Sequence, residues 1–148
     1  MDKEEAKKQL TKLEAEVAKL RNIIDSPQKI TDRVKDYGDI LKIAGVRESD
    51  DEVEIKGFNS SENKVVKSLV KKMRIAKVYN EGWLPRHNEQ RWYPYYNVSS
   101  GFVFHNTACG GTNANTSSAS RLCFRTDELT RDYARKFKDV DEDFIDLR

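Results

Sequence analysis

No stretch of this chain is both long and apolar enough to cross a bilayer. The opening residues Met1, Asp2, Lys3, Glu4 and Glu5 are charged, with no apolar run behind them, a pattern that predicts no signal peptide. Cysteine is scarce. Cys109 and Cys123 are too few for a disulfide scaffold, and without an export signal both are expected as reduced thiols. An excess of one charge is also missing: 27 Lys and Arg face 25 Asp and Glu, leaving a formal +2. No field of the whole molecule therefore commits it to nucleic acid or to a membrane surface. Glycine-rich phosphate loops and nucleophile elbows are absent as well. The chain is expected to be no enzyme and to need no cofactor.

What is present suits one modest domain with an extension. The 148 residues are 37% hydrophobic and 35% charged, so the core must be small and the surface densely charged. Residues 2–25 contain neither Gly nor Pro and read as one helix. Apolar side chains fall at Ala6, Leu10, Leu13, Val17, Leu20 and Ile24, in alternating steps of four and three. That is a heptad seam with Leu10, Val17 and Ile24 at a, and Ala6, Leu13 and Leu20 at d. A plain amphipathic helix would drift off this register. β-branched residues at two a positions with Leu at d favour a parallel homodimer, with a homotrimer as the other assembly. Opposite charges at g and e′, Asp2 with Lys7 and Glu16 with Arg21, agree with parallel pairing. The competing reading is a helix folded back on its own domain.

Ser26 and Pro27 stop this helix, since proline lacks an amide donor and constrains its predecessor. The division expected is a coiled-coil helix over 1–25 and a compact α+β domain over 26–148. A second helix is predicted from a cap at Thr31 or Asp32 to Gly45, with Val34, Tyr37, Leu41 and Ala44 on one side. An exposed acidic loop follows over Arg47 to Glu54. A third helix starts at Asn59 or Ser60, with Glu62 placed for a capping box, and stops at Gly82. The period then changes to two. Trp92, Pro94, Tyr96 and Val98 share one strand face, Tyr93 and Tyr95 the other, and Pro94 predicts an edge strand. A turn at Ser99, Ser100 and Gly101 leads to a second strand over Phe102 to His105, and Ser120 to Arg125 reads as a third. A last helix opens at Thr126, with Leu129, Tyr133, Phe137, Val140, Phe144 and Leu147 recurring along it. The expectation is a three-stranded antiparallel sheet packed by helices.

Three groups of residues have the chemistry of sites. His87, His105, Cys109 and Cys123 are zinc-type donors, but their spacing fits no standard finger and Cys123 alternates like a sheet residue, so no metal is expected. Lys64, Lys67, Lys71 and Arg74 form a basic stripe on the third helix. Beside an aromatic segment, such a stripe is the footprint of single-stranded nucleic acid. It is equally the solvated face of any surface helix, and the acids of 139–146 are placed to neutralise it. Tyr93 and Tyr95, with Arg86, His87 and Arg91 nearby, are expected to face a ligand, because strand alternation cannot hide every ring of this segment.

Residues 105–120 contain no Lys, Arg, Asp, Glu or Gln, which predicts an exposed loop, with His105, Asn106, Asn113 and Asn115 as its ligand contacts. Every residue type there is reachable by changing adenines in an Asn codon, as adenine-directed diversification would leave it. Ordinary loops favour the same small residues.

The blocks Asn80–Trp83, Trp92–Tyr96, Ser100–Phe102 and Ser120–Phe124, with the helix that follows, resemble a family of small phage and prophage proteins of gut Bacteroidetes. The resemblance implies a phage context, hence the cytoplasm of a bacterial host or a virion, and nothing about catalysis. The function expected is a homo-oligomeric binding protein whose coil adds avidity to an aromatic sheet face and the loop. A nucleic-acid-associated protein and a structural virion component are the alternatives, and no membrane partner is expected.

Overall fold

The computed structural model describes residues 3–25, 28–99, 101–111 and 121–145. Among them are six α-helices and a two-stranded antiparallel sheet, so the class is α+β. Helix α1 runs unbroken from Lys3 to Asp25. Its seam residues Leu10, Leu13, Val17, Leu20 and Ile24 are 46–78% exposed. A helix folded back on the domain would bury them, so that alternative does not hold. Ser26 and Pro27 lie outside the described residues.

The predicted second helix is two. Helix α2 is one turn, Ile30–Arg33, and α3 spans Tyr37–Ala44. Between them Val34 is extended and fully buried. The cap is Asp36, which accepts from the Asp39 amide at 3.1 Å, rather than Thr31 or Asp32. Lys136, a hundred residues away, explains the break. Its ammonium donates to the carbonyls of Thr31 (2.7 Å) and Val34 (2.6 Å), replacing the bonds a continuing helix would supply. Gly45 ends α3 as expected, in the left-handed conformation at φ 68°.

Residues 47–54 are exposed as expected, except for the buried Asp51 and the half-buried Val53. A 3₁₀ turn over Glu48–Asp51 carries the Asp51 carboxylate inward, leaving it 1% exposed. Helix α4, Ser60–Tyr79, starts with the predicted capping box: Glu62 N–H donates to Asn59 Oδ1 (2.9 Å), and Asn59 N–H to Glu62 Oε2 (2.7 Å).

Strand β1, Arg91–Asn97, pairs with β2, Val103–Gly110. The second strand is thus longer than expected and takes in His105 to Gly110, which the composition had assigned to a loop. Residues 112–120 lie outside the described residues. Tyr96 stacks on Phe102 at 4.3 Å and meets Phe104 edge-on, bringing these rings together as expected. The third strand is reduced to one antiparallel bridge, Trp92 to Phe124, with bonds of 2.9 and 2.7 Å. Pro94 supplies the reason. By strand alternation its nitrogen faces the same side as that of Trp92, and it has no hydrogen to donate there, so the ladder ends after one pair. Asn80 holds this segment instead, donating to the Cys123 carbonyl and accepting from the Arg125 amide, both at 2.9 Å.

The predicted last helix breaks at Phe137 into α5, Asp127–Lys136, and α6, Lys138–Ile145. The turn buries Phe137, Val140 and Asp141 against α4. Ile40, Ile75, Tyr79, Phe124 and Tyr133 fill the core beside them.

Three buried carboxylates cross this core, each held by a tyrosine hydroxyl and a cation. Asp141 accepts from Lys72 at 2.5 Å, Tyr96 at 2.6 Å and Tyr133 at 2.9 Å. Asp132 accepts from Tyr79 at 2.8 Å and Lys136 at 2.7 Å, and also from Arg135. Asp51 accepts from Tyr37 and Arg74. Removing one partner of a buried pair strands the other charge. Asp141→Ala is therefore expected to cost about 3–5 kcal/mol. Lys64→Ala, which breaks an exposed pair with Asp143, should cost under about 1 kcal/mol. Urea midpoints of the two variants test this contrast.

Burial, reinforced by the adjacent carboxylates, pushes the hydroxyls of Tyr37, Tyr79, Tyr96 and Tyr133 above the ordinary tyrosine range. Up to about pH 10, folded and unfolded chains both keep these protons and stability does not depend on them. Above that the unfolded chain releases protons that the folded chain retains, so stability falls as pH rises. The expected slope is up to about 1.4 kcal/mol per pH unit for each fully buried tyrosine, and less for the partly exposed Tyr37 and Tyr96. Urea titrations from about pH 8 to 11, with tyrosinate absorbance as a second readout, measure it.

Candidate functional site

The hairpin carries most of the residues expected to meet a ligand. Its register matches Tyr93 with Ala108 and Tyr95 with Asn106, then slips so that Tyr96 faces Phe104. His105 is the extra residue of this bulge. A bulge re-aims the side chain it carries, and the His105 ring lies 5.9 Å from that of Tyr95, edge to face. Tyr95 is 57% exposed, and the apolar Val103 and Val98 near the hairpin end are also open. Val98 was expected on the inner face with Trp92, but the strand ends at Asn97 and releases it. Tyr93 is half-buried.

The other expected contacts divide. Arg86 and His87 are exposed on the loop before β1, where the Arg86 amide donates to Glu89 at 2.7 Å and Asn88 adopts φ 67°. Arg91 turns inward: it is half-buried, its Nε is buried without a partner, and its charge draws the Cys123 thiol downward against the upward push of burial. Asn106 accepts from Arg131 at 2.9 Å, and its neighbour Thr107 donates to Asp127. These two bonds fasten β2 to the start of α5. The Thr107 hydroxyl, with Arg131, also holds the Asp127 carboxyl below its usual range. Asn113 and Asn115 lie outside the described residues.

The basic stripe is occupied by partners from its own chain. Lys64 pairs with Asp143 at 2.8 Å, Lys67 with Glu52 at 2.6 Å, and Arg74 with the buried Asp51. Lys71 lies over the Tyr37 ring at 5.1 Å. The two lysine pairs lie at the surface and are individually weak, and Lys71 has no acid beside it among the ion pairs of the described residues. Lys72, between Lys71 and Met73 in sequence, is buried against Asp141. Among the described residues no three of His, Cys, Asp and Glu converge as metal ligands. His105 is spent on Tyr95, and Cys123 lies in the core. No helix of the described residues is long and apolar enough to cross a membrane.

Sequence reasoning missed an open trough of about 380 Å³ between α4 and the chain just after it. Met73, Trp83 and Leu84 are among its walls, and Arg74, Lys77 and Arg121 stand along it. The only sequence signal was two large apolar side chains, Trp83 and Leu84, directly after a glycine that ends a helix.

No protein-family model, curated protein or solved structure matches this chain.

The two ring sets of the hairpin should separate in stability measurements. Tyr95→Ala and His105→Ala, at exposed positions, are expected to shift folding by no more than about 0.5 kcal/mol. Tyr96→Phe, which takes a hydrogen bond from a buried carboxylate, should cost about 1.5–3 kcal/mol. Urea denaturation of the three variants checks the assignment of faces.

Proposed function

We propose that this chain is a non-enzymatic, homo-oligomeric binding protein of phage origin, joined by α1 and recognising its ligand with the hairpin face. The observation that carries the reading is the exposed heptad seam. Five large apolar side chains stand in one register on a helix of 23 residues, 46–78% open in the single chain. Most helical stability in proteins comes from packing of an apolar face, which this helix lacks in the single chain. A second copy buries the seam, and the opposite charges of Asp2 and Lys7, and of Glu16 and Arg21, fit a parallel partner. A parallel dimer is the assembly proposed, with a trimer as its nearest competitor.

The surface such an assembly presents is built from Tyr95, His105 and Tyr93. The rings of Tyr95 and His105 are braced against each other by the bulge, which lowers the cost of ordering them on a ligand. Several weak hairpin sites on one oligomer bind together with a gain no single site has. The resemblance to phage proteins supports a site of action inside the bacterial host cell, with a virion component as the alternative use of the same coil. Against the nucleic-acid reading stands the pairing of three of its four stripe cations with acids of the same chain, Lys71 alone having none.

Sedimentation equilibrium is expected to give a dimer or trimer at micromolar concentration, and Leu13→Glu with Leu20→Glu a monomer with the domain still folded. A monomeric wild-type chain would overturn the reading. In pull-downs from host lysate, specific capture should require both the intact coil and the Tyr95–His105 pair. Capture that survives loss of both would remove the hairpin from the site.

A further inference from the structure

The trough beside α4 combines apolar walls with cations. Its walls include the apolar side chains Val70, Met73, Ala76, Trp83 and Leu84. Met73 and Leu84 are 38% and 47% exposed, so apolar surface faces water there at a cost nothing in the fold offsets. All three charged residues of the lining are cations: Arg74, Lys77 and Arg121. Arg74 spends its terminal nitrogen on Asp51, while its Nε is buried with no acceptor. Lys77 and Arg121 are exposed, and among the described residues neither has an ion pair. Three of the four stripe cations on the same helix are paired with acids, whereas Lys77 and Arg121 are not.

A second depression on the far side of Arg74 and Lys77 makes the contrast sharper. It holds about 410 Å³ but is lined by Glu81 as well as by cations. The Trp83 side is lined by cations without an acid, whereas Glu81 offsets part of the positive charge on the other.

We infer that this trough is a binding site for a small organic anion with a flat apolar body, carboxylate or sulfonate at one end. Its volume lies in the range of small-molecule sites. The indole of Trp83 and the thioether of Met73 offer the apolar body a polarisable wall. Lys77 and Arg121 meet the anionic group. The site is separate from the hairpin face and does not depend on the coil.

Anilinonaphthalene sulfonate and its uncharged counterpart, N-phenyl-1-naphthylamine, are suitable probes, with energy transfer from tryptophan as the signal. The full chain should bind the sulfonate saturably, at one site per protomer, and the neutral compound at least about tenfold more weakly. Lys77→Glu with Arg121→Glu should erase that preference while leaving the urea midpoint essentially that of wild type, since both side chains are exposed. Met73→Glu places a carboxylate in the trough and should abolish sulfonate binding, whereas Met73→Leu should keep it. Trp83→Phe should remove most of the energy transfer without removing binding measured by calorimetry. Equal affinity for the two probes, or sulfonate binding that survives the double reversal and Met73→Glu, overturns the proposal. So does the absence of saturable binding.

Discussion

The Asp141 carboxylate is the point on which the domain closes. It accepts from Lys72 of α4, Tyr96 of β1 and Tyr133 of α5, while standing on α6 itself. Four elements therefore meet at one side chain that is 1% exposed. An isolated charge at that depth would be prohibitive, and the pair with Lys72 alone would only recover part of the desolvation. The two hydroxyls satisfy the remaining lone pairs, and the rings of Tyr133 and Phe144 lie 5.7 and 5.6 Å from the ammonium. Lys72 stands on the buried face of α4 with Ser68, Ile75, Ala76 and Tyr79, and this cage is what keeps its charge satisfied there.

The same arrangement, carboxylate with tyrosine and cation, recurs at Asp132 and Asp51. Lys136, held by Asp132, donates to the carbonyls of Thr31 and Val34 where α2 ends, and Asp51 draws the 3₁₀ turn against α3 and α4. A chain with so few apolar residues cannot close its domain by burial alone. Directional bonds between distant elements take up part of that task and fix how the helices meet. They also account for the quiet basic stripe: acids recruited for closure neutralise Lys67 and Arg74, and α6 supplies Asp143 to Lys64.

The hairpin is tied to this frame at both ends of its inner face, by Tyr96 to Asp141 and by Thr107 to Asp127. Its outer rings are free of such ties. Tyr95 and His105 owe their mutual contact to a one-residue slip in the ladder. The trough next to Trp83 has a different origin: Asn80 and Gly82 end α4, and the chain turns with Gly82 at φ 82° and Glu81 at φ 51°. That turn sets the Trp83 and Leu84 side chains across from Met73, with the unpaired cations alongside.

Local chemistry was legible without coordinates. The uninterrupted α1, the Asn59–Glu62 capping box, the Gly45 stop, the Thr126 cap and the aromatic hairpin all follow from residues within a few positions of one another. Periodicity can report such features because their bonds close over one turn or one strand pair. The breaks at Val34 and Phe137, the burial of Asp51, Lys72 and Arg91, and the loss of the third strand were not legible. Three of these depend on a partner far along the chain: Val34 on Lys136, Lys72 on Asp141, Asp51 on Arg74. A charge pattern reads the same whether a lysine faces water or a carboxylate 69 residues away. Sequence alone determined which segments are helical and which side of α1 is apolar. Only the tertiary structure decided which charges are spent inside the fold and which stay free to meet a ligand, because that is a matter of distance in space.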